Sequence, residues 1–135
     1  MTLSTDPYAL VVDDDAMILM HASDIVEEAG FRCLEASTGD EAVEVLKKHG
    51  GSITLLFTDV EMPGSMNGFA LARHVATHWP DVEIVVASGR MSPADGDMPH
   101  KATFIPKPFS ADLVHNHLRE KLPDGKKPEP LKQAV

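Results

Sequence analysis

Apolar positions along this chain alternate between two kinds of run: short unbroken blocks, and longer stretches spaced at three- and four-residue steps. Tyr8 to Val12 (YALVV) is an unbroken block ending at three aspartates, the pattern of a strand buried on both faces. Ala16 to Ala29 follows as a helix, with Ile18, Ala22, Ile25 and Ala29 on one face and Gly30 as its stop. Arg32 to Ala36 is a short second strand. Thr38 and Glu41 form a capping-box pattern that opens a helix through about His49, with Ala42, Val45 and Leu46 facing inward. Ile53 to Thr58 (ITLLFT) predicts a third buried strand, ending at Asp59. After a loop holding Pro63, Gly64 and Gly68, Phe69 to His78 reads as a helix stopped before Pro80. Glu83 to Ser88 is a fourth strand and Thr103 to Ile105 a short fifth. Ser110 to Leu122 is a final helix, with Ser110 as its cap and Asp112 favouring the positive end of the helix dipole.

Strand then helix, repeated, predicts an α/β fold with a parallel sheet and helices on both faces. One segment breaks the rhythm. Between Gly89 and Ala102, Pro93, Gly96 and Pro99 leave no room for a normal helix, so the fourth helix is expected to be short, irregular or absent. No internal repeat or linker divides the chain. Residues 1–122 read as one domain, and 123–135, rich in Pro and Lys with little to bury, as a flexible tail.

Composition narrows the function. A chain of 135 residues suits one compact domain. Aromatics make up only 5%, so the core has to come from Val, Leu, Ile, Ala and Met. A net charge of −9 argues against a nucleic acid partner and against docking on an anionic membrane. No apolar run is long enough to span a bilayer, and Met1 to Pro7 is too polar for a signal peptide. The lone Cys33 rules out an internal disulfide and fits a cytoplasmic location. Of the seven histidines, His74 and His78 have zinc-compatible spacing but no evident third ligand, so they read as exposed helix residues; His115 and His117 point different ways.

In open parallel sheets, sites form at the carboxyl ends of the strands. Here those ends carry Asp13, Asp14 and Asp15, then Asp59, then Ser88, with Lys107 close behind the fifth strand. Two unit charges 4 Å apart repel by ~4 kcal/mol at an effective dielectric of 20. Converging carboxylates therefore need a cation or raised pKa values. A hard divalent ion such as Mg²⁺ together with Lys107 answers that need, and a carboxylate so placed can attack a phosphoryl group. Asp15 also suits the cap of the first helix.

VVDDD (Val11 to Asp15), TDVEMPG (Thr58 to Gly64), VVASG (Val85 to Gly89) and IPKPF (Ile105 to Phe109), in this order and spacing, resemble the four signatures of response-regulator receiver domains, over roughly Tyr8 to Leu122. The resemblance implies a flavodoxin-like, doubly wound five-stranded parallel sheet of order 2-1-3-4-5. It implies that Asp59 is the phospho-acceptor and that Asp14 and Asp59 bind Mg²⁺ directly. Asp13 would help through water, and the backbone carbonyl of Glu61 would complete the ligand set. Ser88 takes the switch hydroxyl position, Lys107 the family lysine with a cis bond to Pro108, and Phe104 the switch aromatic. Glu61 and Arg90, two residues beyond acceptor and switch, are expected to pair across the site and tune the phosphoryl lifetime. The donor would be a histidine kinase or histidine phosphotransfer protein. Output would pass to a downstream protein target from a stand-alone domain, with homodimerisation left open. The chemistry would be self-phosphorylation and slow autodephosphorylation rather than enzymatic turnover.

Departures accompany the likeness. The loop EMPGSMNG is longer than the commonest family form, and the stretch from Ser88 to Lys107 is shorter. Two other functions compete. A phosphorylation-independent pseudo-receiver would bind partners only. A phosphatase of the haloacid-dehalogenase type would use Asp13-Asp14-Asp15 as its D-x-D nucleophile, which leaves TDVEMPG unexplained.

Overall fold

The two kinds of apolar run become the two kinds of element expected of them. The structure is a computed structural model that describes residues 7–89, 93–94 and 96–132, with Glu129 and Lys132 described by backbone alone. Strands β1 (Tyr8–Val12), β2 (Arg32–Ala36), β3 (Ile53–Asp59), β4 (Glu83–Ser88) and β5 (Thr103–Pro106) form one sheet in the order β2-β1-β3-β4-β5. Every pairing is parallel. Helices α1 (Ala16–Glu28), α2 (Gly39–His49), α3 (Gly68–His78) and α4 (Ala111–Lys121) connect or follow the strands, and a short α5 (Glu129–Lys132) comes last. This is the doubly wound sheet implied by the resemblance.

Alternation along the strands divides the core in two. Ala9 and Val11 of β1, Leu55 and Phe57 of β3, and Val85 and Ala87 of β4 face α1 and α4. Leu10, Val12, Leu56, Ile84 and Val86 face the other way, against α2 and α3. A strand covered on both faces has no polar side to spend, which is why these segments are nearly unbroken apolar runs. Each main helix starts on a side-chain cap of the kind that satisfies its free N–H groups. Asp15 Oδ1 accepts from Met17 N–H at 2.9 Å and Ile18 N–H at 3.3 Å. Thr38 Oγ1 accepts from Glu41 N–H at 3.1 Å, while the Glu41 carboxylate reaches back to Ser37 N–H. Asn67 caps α3 through Ala70 N–H at 2.9 Å, and Ser110 caps α4 through Leu113 N–H at 3.1 Å.

Among the described residues no helix lies between β4 and β5, in line with the Pro/Gly content of that stretch. Side chains and turns fill the space instead. Ala102 is buried, Met98 packs on the α2/α3 side of the core, and Arg73 Nη1 donates to the Asp97 carbonyl at 2.6 Å.

The described part of the segment read as a flexible tail, residues 123–132, packs on the domain. A 3₁₀ turn (Asp124–Lys126) leads into α5, and Leu131 is 3% exposed within the α1/α4 half of the core. Lys126 Nζ meets Glu83 Oε1 at 2.9 Å. Pro128 and Pro130 lie against Gly30, whose φ of +108° favours glycine; a Cβ there would sit 2.7 Å from Pro128 Cβ. One apolar anchor and two prolines, which lose little entropy on ordering, hold a segment that composition alone marks as unstructured.

Candidate functional site

The site lies where β1 and β3 run out of core. Val12 and Thr58 are paired neighbours in the sheet, so the residues that follow them, Asp13 and Asp59, emerge side by side. Asp59 in turn pairs with Ala87, which brings Ser88 to the same edge. Ser88 pairs with Pro106, one residue before Lys107, and the Lys107 N–H donates to the Ser88 carbonyl at 3.0 Å. The peptide bond from Lys107 to Pro108 is cis. The strand ends therefore deliver the acidic groups and the amine to one cleft of about 370 Å³, lined by Asp13, Asp14, Asp59, Glu61 and Lys107 among others, with Ser88 buried beside it and bonded to Glu61.

The Lys107 ammonium is shared. It lies 2.7 Å from Asp59 Oδ1 and 3.0 Å from Asp13 Oδ2, and both carboxylates are almost fully buried. Asp14 is exposed, and one oxygen each from Asp13, Asp14 and Asp59 lies within 4.8 Å of the others. At that separation each pair of like charges repels by ~3 kcal/mol at an effective dielectric of 20. Burial, reinforced by Asp13 and Glu61 and only partly offset by Lys107, pushes the Asp59 carboxyl from 3.8 up to about 6. Burial disfavours the Lys107 ammonium, but its bonds to Asp59 and Asp13 outweigh this and hold its pKa above the ordinary lysine value. The two directions agree: one cation is shared between two buried carboxylates, enough to keep itself charged and too little to relieve Asp59.

Three carboxylates and one ammonium leave two formal negative charges, and every converging donor atom is an oxygen. This set suits a hard divalent cation of the Mg²⁺ kind and not a metal that prefers sulfur or imidazole.

Glu61 meets a partner inside the site, Ser88. Its Oε1 accepts a hydrogen bond from Ser88 Oγ at 2.7 Å. Burial raises the Glu61 pKa, but the bonds from Ser88 and its own backbone N–H, with help from Lys107, bring it below the ordinary glutamate value. The proposed partner, Arg90, lies outside the described residues. Asp13 Oδ1 also accepts from Asp15 N–H at 2.9 Å, while the Asp15 carboxylate is spent on capping α1. The second acid of a D-x-D nucleophile pattern is thus engaged elsewhere. Phe104 is half-buried on β5 beside Val86 and packs on the α2/α3 side of the core.

Sequence reasoning missed two residues that shape the site. Asn67 caps α3, and an Asn directly before an apolar periodic run was its available signal. Gly68 closes the loop after Asp59: its N–H donates to the Val60 carbonyl at 2.9 Å, and a Cβ on it would lie 2.0 Å from the Asp59 carbonyl oxygen. The four histidines weighed as metal ligands have partners away from the site. His74 and His78 stack at 4.2 Å, His115 bonds the Ile25 carbonyl at 2.8 Å, and His117 bonds Thr103 Oγ1 at 2.7 Å.

The model of the response regulator receiver domain matches residues 9–119. The chain is 35% identical over 109 residues to the chemotaxis protein CheY of Thermotoga maritima, covering 78% of this chain and 88% of that protein. It is 32% identical over 127 residues to the sensor kinase CckA of Brucella abortus, covering 89% of this chain but only 13% of the kinase. The crystal structure of the receiver domain from the hybrid histidine kinase CckA superposes with a TM-score of 0.73 at 26% identity, over 86% of this chain and 99% of that one. No helix among the described residues is long and apolar enough to cross a membrane.

Proposed function

The chain belongs to the response regulator receiver domain family, and from that premise we propose that it is the phosphoacceptor module of a two-component or phosphorelay system, modified on Asp59. The observation that carries the reading is the buried Asp59 carboxylate, 2.7 Å from Lys107 Nζ and converging with Asp13 and Asp14. The donor is a phosphohistidine, on a histidine kinase or a phosphotransfer protein. An Asp59 oxygen attacks the phosphorus as the P–N bond breaks, and the departing imidazole keeps the bonding electrons and takes up a proton.

The chain's own groups divide the remaining work. Lys107 stays protonated and neutralises one phosphoryl oxygen; because it already bonds Asp59, it needs little movement to do so. Ser88 donates its hydroxyl to a second phosphoryl oxygen. Asp14 and Asp59, with Asp13 through water and the Glu61 carbonyl, are the residues that would hold Mg²⁺. When bound, that ion supplies the positive charge that lets carboxylates and phosphoryl oxygens share one cleft. Water later hydrolyses the acyl phosphate slowly, so the domain is a signalling module rather than a turnover enzyme. Ser88 and Phe104 move together as phosphorylation shifts a pre-existing equilibrium towards the state that a downstream protein recognises.

Intact-mass measurement after incubation with acetyl phosphate and Mg²⁺ tests this. One phosphoryl adduct is expected on the wild type, and none on Asp59→Asn or in EDTA. A wild-type protein that stays unmodified under all conditions would overturn the reading in favour of phosphorylation-independent partner binding.

A further inference from the structure

The Ser88 hydroxyl has one proton to donate, and in this structure it donates that proton to Glu61. A phosphoryl oxygen on Asp59 needs the same proton. Both acceptors are anionic and their sites adjoin, so the two bonds exclude one another.

We propose that Glu61 is a positioning residue that keeps the Ser88 hydroxyl engaged in the resting protein and surrenders it only when a phosphoryl group occupies Asp59. The inference rests on the receiver reading above and deepens it. The backbone around Glu61 is pinned. Val60 is fully buried, its N–H donates to the Ala87 carbonyl at 3.2 Å, and its own carbonyl accepts from Gly68 N–H. Ser88 is fixed by β4 and by the Lys107 N–H on its carbonyl. With both main chains held, the exchange reduces to side-chain rotation: Glu61 turns away and the Ser88 hydroxyl turns to the new acceptor. The added negative charge on phosphorylated Asp59 repels the Glu61 carboxylate and drives the same rotation. Glu61 therefore stabilises the unphosphorylated state and sets a threshold that the phosphoryl group has to exceed.

Beryllofluoride, which occupies an aspartate as a phosphoryl-like anion, provides the probe, titrated calorimetrically with Mg²⁺ present. Replacing Glu61 by Ala leaves its backbone carbonyl in place. It removes both the competitor for Ser88 and one negative charge, so beryllofluoride is expected to bind more tightly. A double-mutant cycle with Ser88→Ala separates the two effects, because without the hydroxyl only the charge effect remains. Glu61→Ala is expected to gain about tenfold more affinity in the Ser88 background than in the Ser88→Ala background, a coupling of about 1.4 kcal/mol. Glu61→Gln keeps an acceptor oxygen, and its affinity should fall between those of wild type and Glu61→Ala. A coupling below about threefold, or weaker binding in Glu61→Ala, would overturn the proposal while leaving the receiver reading intact. A wild-type protein that binds no beryllofluoride would sink both.

Discussion

The raised pKa of Asp59 makes the site a cost to the folded protein, and the substitution Asp59→Asn exposes that cost. In the unfolded chain this carboxyl ionises at its ordinary 3.8; in the folded protein it ionises near 6. Between those values the native state holds a proton that the unfolded state has released, so folding stability falls as pH rises through this window. Below 3.8 both states are protonated and there is no penalty. Above about 6 the penalty is complete. A difference of roughly two pKa units corresponds to about 3 kcal/mol at 1.36 kcal/mol per unit. Asparagine has the shape of the carboxyl and no charge, so it escapes the penalty. Lys107 does not blur the comparison, because its pKa is raised from 10.5, and the stability it confers is lost only above that value.

Urea unfolding in EDTA at a series of pH values is the assay. At pH 8, Asp59→Asn is expected to be more stable than wild type by about 2–3 kcal/mol, which moves the urea midpoint by about 1 M. By pH 5 the advantage should have shrunk to roughly half, and by pH 4 it should be nearly gone. Adding Mg²⁺ at pH 8 should narrow the gap, since an ion held partly by the Asp59 carboxylate stabilises the wild type by mass action more than the variant. A variant no more stable than wild type at pH 8, or an advantage that does not diminish with acid, would refute the electrostatic account of the site.

Gly68→Ala places a methyl group 2.0 Å from the Asp59 carbonyl oxygen, where backbone rather than a flexible side chain has to yield. It should cost ~3 kcal/mol or more in urea unfolding and slow labelling of Asp59 by acetyl phosphate; a stability change under 1 kcal/mol would show that the loop yields freely. Leu131→Ala should cost ~2–3 kcal/mol, as for a leucine lost from a packed core, and an unchanged midpoint would mean that the segment after Leu122 adds nothing to the fold.

The strands and the acidic cluster were legible because one physical rule governs both. A strand buried on both faces has to be apolar until it leaves the core, so the first acidic residue marks the strand's end, and in a parallel sheet all such ends lie on one edge. Asp13, Asp59, Ser88 and Lys107 follow from that rule without any knowledge of side-chain contacts. That no helix lies between β4 and β5 among the described residues was equally readable, because Pro93 and Pro99 act through the backbone. Side-chain choices were not legible in this way. That Glu61 meets Ser88 depends on how the loop from Val60 to Gly68 turns, and that depends on Gly68 lying against the Asp59 backbone, a contact no local pattern announces. The segment after Leu122 has no periodicity at all. Its order comes with one leucine buried in the α1/α4 half of the core, so its signal lies in tertiary structure.

The placement of the charges explains how the protein sustains them. Asp13 and Asp59 end strands whose preceding residues are buried on both faces, with Val12 at 1% exposure and Thr58 at 0%. Neither carboxylate can retreat from the other without withdrawing a strand from the core, which would sacrifice apolar burial worth ~1.5–3 kcal/mol per large side chain. Withdrawing a strand exposes several such side chains, which together outweigh a repulsion of ~3 kcal/mol, so the repulsion is held in place rather than relaxed. Asp14 has no such constraint and is exposed, and it can adjust to a ligand while the other two remain fixed. A site with two rigid carboxylates, one movable carboxylate and one shared ammonium would need little rearrangement to take a cation. The reorganisation that binding would otherwise require has been met in advance by the folding of β1 and β3.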